Sequence, residues 1–183
     1  MSSVEKREYT HPFTTAQKTA TGLGVISVVA AVLHILLITL GVAVMKSFFD
    51  LLGDHCHYDK VASTMFTILL FGFGYLVAVD LFIAYQTIGI THVKNTTIQV
   101  ALIQDYLFII LLTTVVSGVL SFHNCGYSRW WKRYLGFIIP PLLVALFEGF
   151  LFLSRFALSL VTSLLLTSSG EARNGDEGMK LLV

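Results

Sequence analysis

Residues 21–45, TGLGVISVVAAVLHILLITLGVAVM, decide the fold class. This run of 25 residues carries no formal charge and is bracketed by Lys18 and Lys46. A helix needs about 20 mostly apolar residues to cross the hydrocarbon core of a bilayer. The run is longer than the apolar core of a signal peptide, and no small-residue cleavage site follows it, so it reads as a retained span. It must be helical, because an isolated strand would leave its backbone groups unpaired in lipid.

Three further runs follow. The second covers residues 61–89 and is interrupted by Asp80; the third covers 98–122, with Asp105 in its first third. The fourth covers 135–163 and stays apolar to Leu166, with Glu148 and Arg155 inside it. Pro140 and Pro141 fall in its first turns, where a missing backbone donor is best tolerated. The sequence therefore predicts an all-α integral membrane protein, a four-transmembrane-helix up-down bundle with short loops. A polar tail (1–20) precedes the transmembrane domain (21–166), and a flexible polar tail (167–183) follows it. Composition agrees: 55% of residues are hydrophobic and 13% charged, against about 25% charged in a soluble domain. A net charge of +1 leaves no broad basic surface for nucleic acid.

An even number of spans puts both tails and the second loop on one face, and loops one and three on the other. Lys and Arg are almost evenly divided between them, and the base-rich flank preceding the first span tips the balance to a cytosolic N- and C-terminus. Tyr127, Trp130, Trp131 and Tyr134 cluster beside Lys132 and Arg133. Amphipathic rings and long bases prefer the headgroup level, so this set reads as an interfacial anchor for the fourth helix.

The chain has two cysteines, Cys56 in loop one and Cys125 in loop three, on the same face in any four-span topology. On an external face they form a disulfide. It would close a loop of about 70 residues, worth about 4 kcal/mol in the chain-entropy model and less in a membrane-confined chain. His55, His57 and His123 flank them, so a cytosolic face would instead suggest zinc held by these imidazoles and the thiolates. The spacing fits no standard zinc pattern, and the disulfide is the expectation. The sequon Asn95-Thr96-Thr97 reads as a polar turn between two helix ends.

Each span carries an ionisable residue: His34, Asp80, Asp105, and Glu148 with Arg155. Such groups are expensive near the bilayer centre unless they pair inside a bundle. At 1.5 Å per residue, Asp80, Asp105 and Arg155 fall roughly 10–12 Å in from the loop-two side. His34 and Glu148 share a deeper layer. The expectation is a polar network that holds the helices in register, with Arg155 binding carboxylate and a remaining acid protonated. The alternative is a proton or cation path. A bis-His haem is excluded within the spans, because they contain only His34. Gly22, Gly24, Gly72 and Gly74 are candidates for close helix contact.

The tail ends Glu177-Gly178-Met179-Lys180-Leu181-Leu182-Val183. Glu177 with Leu181 and Leu182 resembles an acidic dileucine sorting signal, and Leu181-Leu182-Val183 resembles a hydrophobic PDZ ligand. Both would need a cytosolic terminus and an adaptor or PDZ protein as partner. The layout resembles the broad tetraspan class of MARVEL-type, claudin-like and tetraspanin proteins. It departs from tetraspanins in its short second external loop, with Asn124-Cys125-Gly126, and from claudins in a first loop with one Cys and no Trp. No single family is implied.

No catalytic constellation, phosphate-binding loop or cofactor motif is present, so a non-enzymatic role without a cofactor is expected. The chain would associate laterally with other membrane proteins as an organiser, trafficking factor or accessory subunit, at the plasma membrane or in endosomal or secretory vesicles. A small channel or transporter subunit is the alternative.

Overall fold

The computed structural model describes the backbone of residues 12–53, 55–89, 95–127 and 129–180. Side chains are described for these except 12–14, 16, 55, 88, 89, 95, 166 and 168–180. The chain is almost wholly helical. Helix α1 (Pro12–Leu36) passes through a π turn (Leu37–Gly41) into α2 (Val42–Leu52). The second and third long helices are α3 (Lys60–Gly89) and α4 (Asn95–Val119), and α4 ends in a second π turn (Leu120–Asn124). The last helix is α5 (Trp130–Lys180). Four stretches are long and apolar enough to cross a membrane: Gln17–Leu52, Lys60–Thr87, Thr96–Asn124 and Trp130–Leu165.

Helix α1 packs against α3 and α5, and α4 packs against α5 and α3, so the four long helices close a square in chain order. Glycine decides one of these approaches. A Cβ at Gly72 would collide with the Leu112 side chain across the α3–α4 contact, whereas Gly22 and Gly74 face open space and serve no such contact.

The bundle is apolar outside and partly polar inside. Val44, Phe71, Leu107, Leu146 and Phe150 project from its flanks, while His34, Asp80, Glu148 and Arg155 are buried. Two apolar clusters lie on either side of the charges. The larger holds Met45, Phe49, Phe66, Phe73, Leu76, Ile109, Val116 and Leu120, toward loops one and three. The smaller holds Leu23, Ile83, Ile98 and Leu102, toward loop two.

The first helix runs past the expected end at Met45 to Leu52, because Met45 and Phe49 belong to the core and continued helix keeps them there. At the π turn, Thr39 Oγ1 donates to the carbonyls of Ile35 (3.3 Å) and Leu36 (3.0 Å). At the other end of the chain, α5 continues through the segment read as a polar tail to Lys180. The side chain of Glu177, and Leu181, Leu182 and Val183 with their sorting or PDZ-like pattern, lie outside the described residues.

Loops one and three are stapled together. His55–Cys56 (β1) pairs antiparallel with Cys125–Gly126 (β2), and Cys56 sits opposite Cys125. The two sulfurs are at disulfide-bond distance. Asn124 Nδ2 donates to Asp59 Oδ1 at 2.7 Å and to the His57 carbonyl at 3.2 Å. The same Asp59 oxygen caps α3 by accepting from the amides of Val61 (2.9 Å) and Ala62 (3.0 Å). The Ala62 amide first, with Asn124 and Val61 after it, holds the Asp59 carboxyl below its usual range.

Candidate functional site

His34, Asp80, Asp105, Glu148 and Arg155 are all buried in the interior of the four-helix bundle. His34 of α1 stands between two acids. Its Nδ1 lies 2.6 Å from Asp80 Oδ2 on α3, and its Nε2 lies 2.8 Å from Glu148 Oε1 on α5. Arg155, two turns beyond Glu148 on the same face of α5, donates from a terminal guanidinium nitrogen to Asp80 Oδ1. Its Nε donates to the Leu151 carbonyl at 3.2 Å. Glu148, His34, Asp80 and Arg155 thus form one chain of contacts across three helices. The two depth layers read from the sequence merge, because His34 and Asp80 each contact a partner on α5.

A carboxylate can only accept hydrogen bonds, and a neutral imidazole has one donor and one acceptor. For both His34 contacts to be hydrogen bonds, the ring must carry a proton on each nitrogen or one carboxyl must supply it. The arrangement is therefore a proton-sharing unit by construction. In so dry a setting, removing one partner strands the others, which gives the network its structural leverage.

Asp105 lies in the same zone without joining the chain of contacts. It is 5% exposed and has no hydrogen bond or ion pair among the described residues, although the charges of Asp80, Arg155, His34 and Glu148 all act on it. The Tyr106 hydroxyl sits 3.5 Å from where a Gly149 Cβ would be, which sets α4 against α5 and places Asp105 between the levels of Glu148 and Arg155. Tyr106 stacks on Phe152 with ring centroids 5.1 Å apart, fixing that register.

The sequence reading missed a set of buried hydroxyls. Ser27, Thr113, Ser117, Ser121 and Ser159 are all fully or nearly fully buried. Thr113, Ser117 and Ser121 recur every four residues on α4, the periodicity of one helical face, and that signal was legible. Gly136 was missed as well. A Cβ there would lie 2.6 Å from Ser121 Oγ and 2.9 Å from the Tyr127 hydroxyl, so the glycine makes room for both.

That room corrects one expectation. Tyr127 is not part of a surface anchor: it is 7% exposed and tucked beneath the loops, where burial pushes its phenol above the usual range. Trp130, Trp131, Arg133 and Tyr134 are exposed and Lys132 is half-buried. Trp130 packs edge-on against Tyr134, with ring centroids 5.7 Å apart. The zinc alternative is corrected too. Cys56 and Cys125 are placed to bond each other, which takes both thiolates from the ligand set. His57 and His123 are exposed, and the His55 side chain lies outside the described residues. Among the described residues, no three His, Cys, Asp or Glu side chains are grouped to hold a metal ion.

A cavity of about 350 Å³ opens beside the π turn of the first helix, between Leu37, Met45, Phe73, Pro140 and Val144, with Thr113 at its edge. Its walls are otherwise apolar, and the Thr113 hydroxyl is already spent on the Ile109 carbonyl at 2.7 Å. No protein-family model, curated protein or solved structure matches this chain.

Proposed function

We propose that this chain is a multi-pass membrane protein that acts through its outward apolar surface, organising or accompanying other membrane proteins rather than catalysing a reaction. The observation that carries this reading is the inward closure of its charges. The five ionisable side chains away from the ends of the long helices, His34, Asp80, Asp105, Glu148 and Arg155, are buried, and four of them pair with one another. Between the ends of the long helices, no charged side chain among the described residues is left on the flanks to demand a charged partner helix, and the outward faces offer apolar side chains for lateral packing. The loops between spans are too short to fold as recognition domains, so association falls to the helix faces and the disulfide-braced cap. On this reading the His34–Asp80–Glu148–Arg155 network holds the four helices in one arrangement, and both termini lie in the cytosol.

Photocross-linking residues placed one at a time at Val44, Phe71, Leu107 and Phe150 sample all four flanks. In intact cells, discrete protein adducts from one flank and lipid adducts from the rest are expected. Lipid adducts alone from every flank would defeat the proposal. Asp80→Asn separates this reading from transport. Loss of folded protein fits a structural network, whereas normal surface expression with loss of a pH-dependent or cation current fits a channel or transporter.

A further inference from the structure

We infer that the cavity beside the π turn holds one acyl chain of a membrane phospholipid, whose phosphate lies against Lys132 and Arg133 at the loop-three end of α5. The inference rests on the reading of this chain as a membrane protein and does not depend on lateral association.

The cavity lies between two closures of one seam. At the first, His34 of α1 meets Glu148 of α5, with Nε2 and Oε1 2.8 Å apart. At the second, the Phe49 ring of α2 lies against Gly136 of α5, 3.2 Å from where a Cβ would stand. Between these contacts the first helix spends residues 34–49 and α5 only 136–148. At 1.5 Å per residue the two paths are about 22 Å and about 18 Å long. The π turn, Leu37–Gly41, falls inside the longer path, and the cavity of about 350 Å³ opens beside it. Single π turns within α-helices are frequent at functional sites.

All four long helical stretches wall this space: Leu37 and Met45 from the first, Leu69 and Phe73 from α3, Thr113 from α4 and Val144 from α5. Val44 and Leu143 also line it and are 66% and 60% exposed, so it opens on the outer flank between α2 and α5. Thr113, at the far side, is buried and supplies the one polar side chain of the lining. Its hydroxyl already donates to the Ile109 carbonyl. Water needs two to four polar partners to stay in a cavity, and this lining has none to offer. Hydrocarbon suits it better: an apolar cavity of about 150 Å³ already takes up benzene. An occupant restores the dispersion contacts that the lining otherwise lacks. From the rim to Thr113 is roughly one interhelical spacing, about 8–10 Å. A flexible acyl chain fills that depth, whereas a single side chain of a neighbouring helix stops short of it.

The charges near the start of α5 fit the other part of the same molecule. Lys132 and Arg133 precede the cavity residues Ile139 and Pro140 by seven positions each. Two helical turns put them on the same face, about 10 Å toward loop three. Arg133 is exposed and Lys132 half-buried. The exposed rings of Trp130, Trp131 and Tyr134 stand beside them, and such rings and bases favour the headgroup level. A phosphodiester at that level accepts charge-assisted hydrogen bonds from the two cations while its chain enters past Leu143. Zwitterionic and anionic phospholipids share that phosphate, so the site does not require an anionic leaflet.

The test reconstitutes the full-length protein in phosphatidylcholine vesicles that carry a small fraction of phosphatidylcholine with a diazirine on one acyl chain. After illumination, adducts are mapped by peptide mass spectrometry. Adducts are expected at the buried cavity residues Leu69, Phe73 and Thr113, as well as at Phe71 and Leu107 on the flanks. Flank adducts without interior ones overturn the inference and leave the membrane reading standing, whereas no adducts at either overturn both. Val144→Trp and Gly41→Leu fill the cavity from opposite walls. The second has room, since the nearest side-chain atom to a Cβ at Gly41 would be 3.9 Å away. Each variant should lose the interior adducts and keep those on the flanks. Interior adducts that persist in both variants overturn the assignment to this cavity. The phosphate is tested with a diacylglycerol bearing the same diazirine chain. Normalised to the flanks, the phosphatidylcholine probe should label the interior about tenfold more, the effect of one charge-assisted contact. Lys132→Gln/Arg133→Gln should make the two probes equal. Equal labelling by both probes in the unsubstituted protein would overturn the phosphate contact.

Discussion

At the scale of single residues, this bundle turns on His34 and Asp80. Each touches two partners, and each is 1% exposed. Removing one member of a buried ionic cluster leaves its partner uncompensated, an effect of about 3–5 kcal/mol in proteins generally. Arg155→Leu should therefore destabilise the detergent-solubilised protein by about that much. The double variant Asp80→Asn/Arg155→Leu should recover part of the loss, because the pair leaves together. Thermal unfolding of the four corners of that cycle checks it, and simple additivity would mean that the contact contributes nothing. Asp59 makes a milder prediction. Its folded carboxyl titrates below the ordinary value, so the stability it adds to the loops is present above that value. This contribution falls away as pH drops through the lowered one. Protection factors of the Val61 and Ala62 amides, taken against the intrinsic exchange rate at each pH, should fall with acidification across that window, and Asp59→Ala should abolish that fall.

At the scale of elements, close contact is confined to particular glycines. Gly72 and Gly74 are neighbours in sequence on α3, yet a methyl group at Gly72 meets Leu112 and one at Gly74 meets nothing. Gly74→Ala should be neutral or stabilise α3 by up to about 1 kcal/mol through helix propensity. Gly72→Ala should destabilise the α3–α4 contact. Gly136→Ala should be worse still, by about 1–3 kcal/mol, since its methyl group would press on Ser121, Tyr127 and the Phe49 ring together. Ranking the three variants by unfolding temperature tests the packing. A Gly136→Ala variant as stable as Gly74→Ala would mean that Tyr127 is not held where the structure places it.

At the scale of the whole molecule, the disulfide links two helical hairpins at the one end of the bundle where loops one and three meet. Cys56 and Cys125 are 69 residues apart in sequence, and their bond ties the α2–α3 hairpin to the α4–α5 hairpin. A membrane-impermeant thiol reagent applied to intact cells should label both cysteines from outside only after reduction. Labelling without reduction, and only after permeabilisation, would place this face in the cytosol and reverse the proposed topology. Reduction should lower the unfolding temperature without dissolving the bundle, because the charge network lies in a separate layer and does not depend on the bond.

Much of this was readable in one dimension. Runs of mostly apolar residues long enough to cross a bilayer left helices as the sole economical structure for them, and the few ionisable residues within those runs were expected to turn inward. Two cysteines in odd-numbered loops had to share a face. What the linear chain could not supply was register. Helix periodicity places Asp80, Asp105 and Arg155 at similar depths, but it does not decide that Arg155 reaches Asp80 while Asp105 stays without a donor. It did not show that Tyr127 turns under the loops, since the space it fills is made by Gly136 from another element. Nor did it separate the hydroxyls of Ser27, Ser117, Ser121 and Ser159, which have no hydrogen-bond partner among the described residues, from the many that bond their own helix. Segment length and polarity are properties of one chain read along its axis, whereas each of those outcomes depends on how far two helices slide and rotate against each other. The sequence alone determined four apolar helices with charges inside them, and the tertiary structure decided which charges meet, because pairing depends on interhelical distance and rotation.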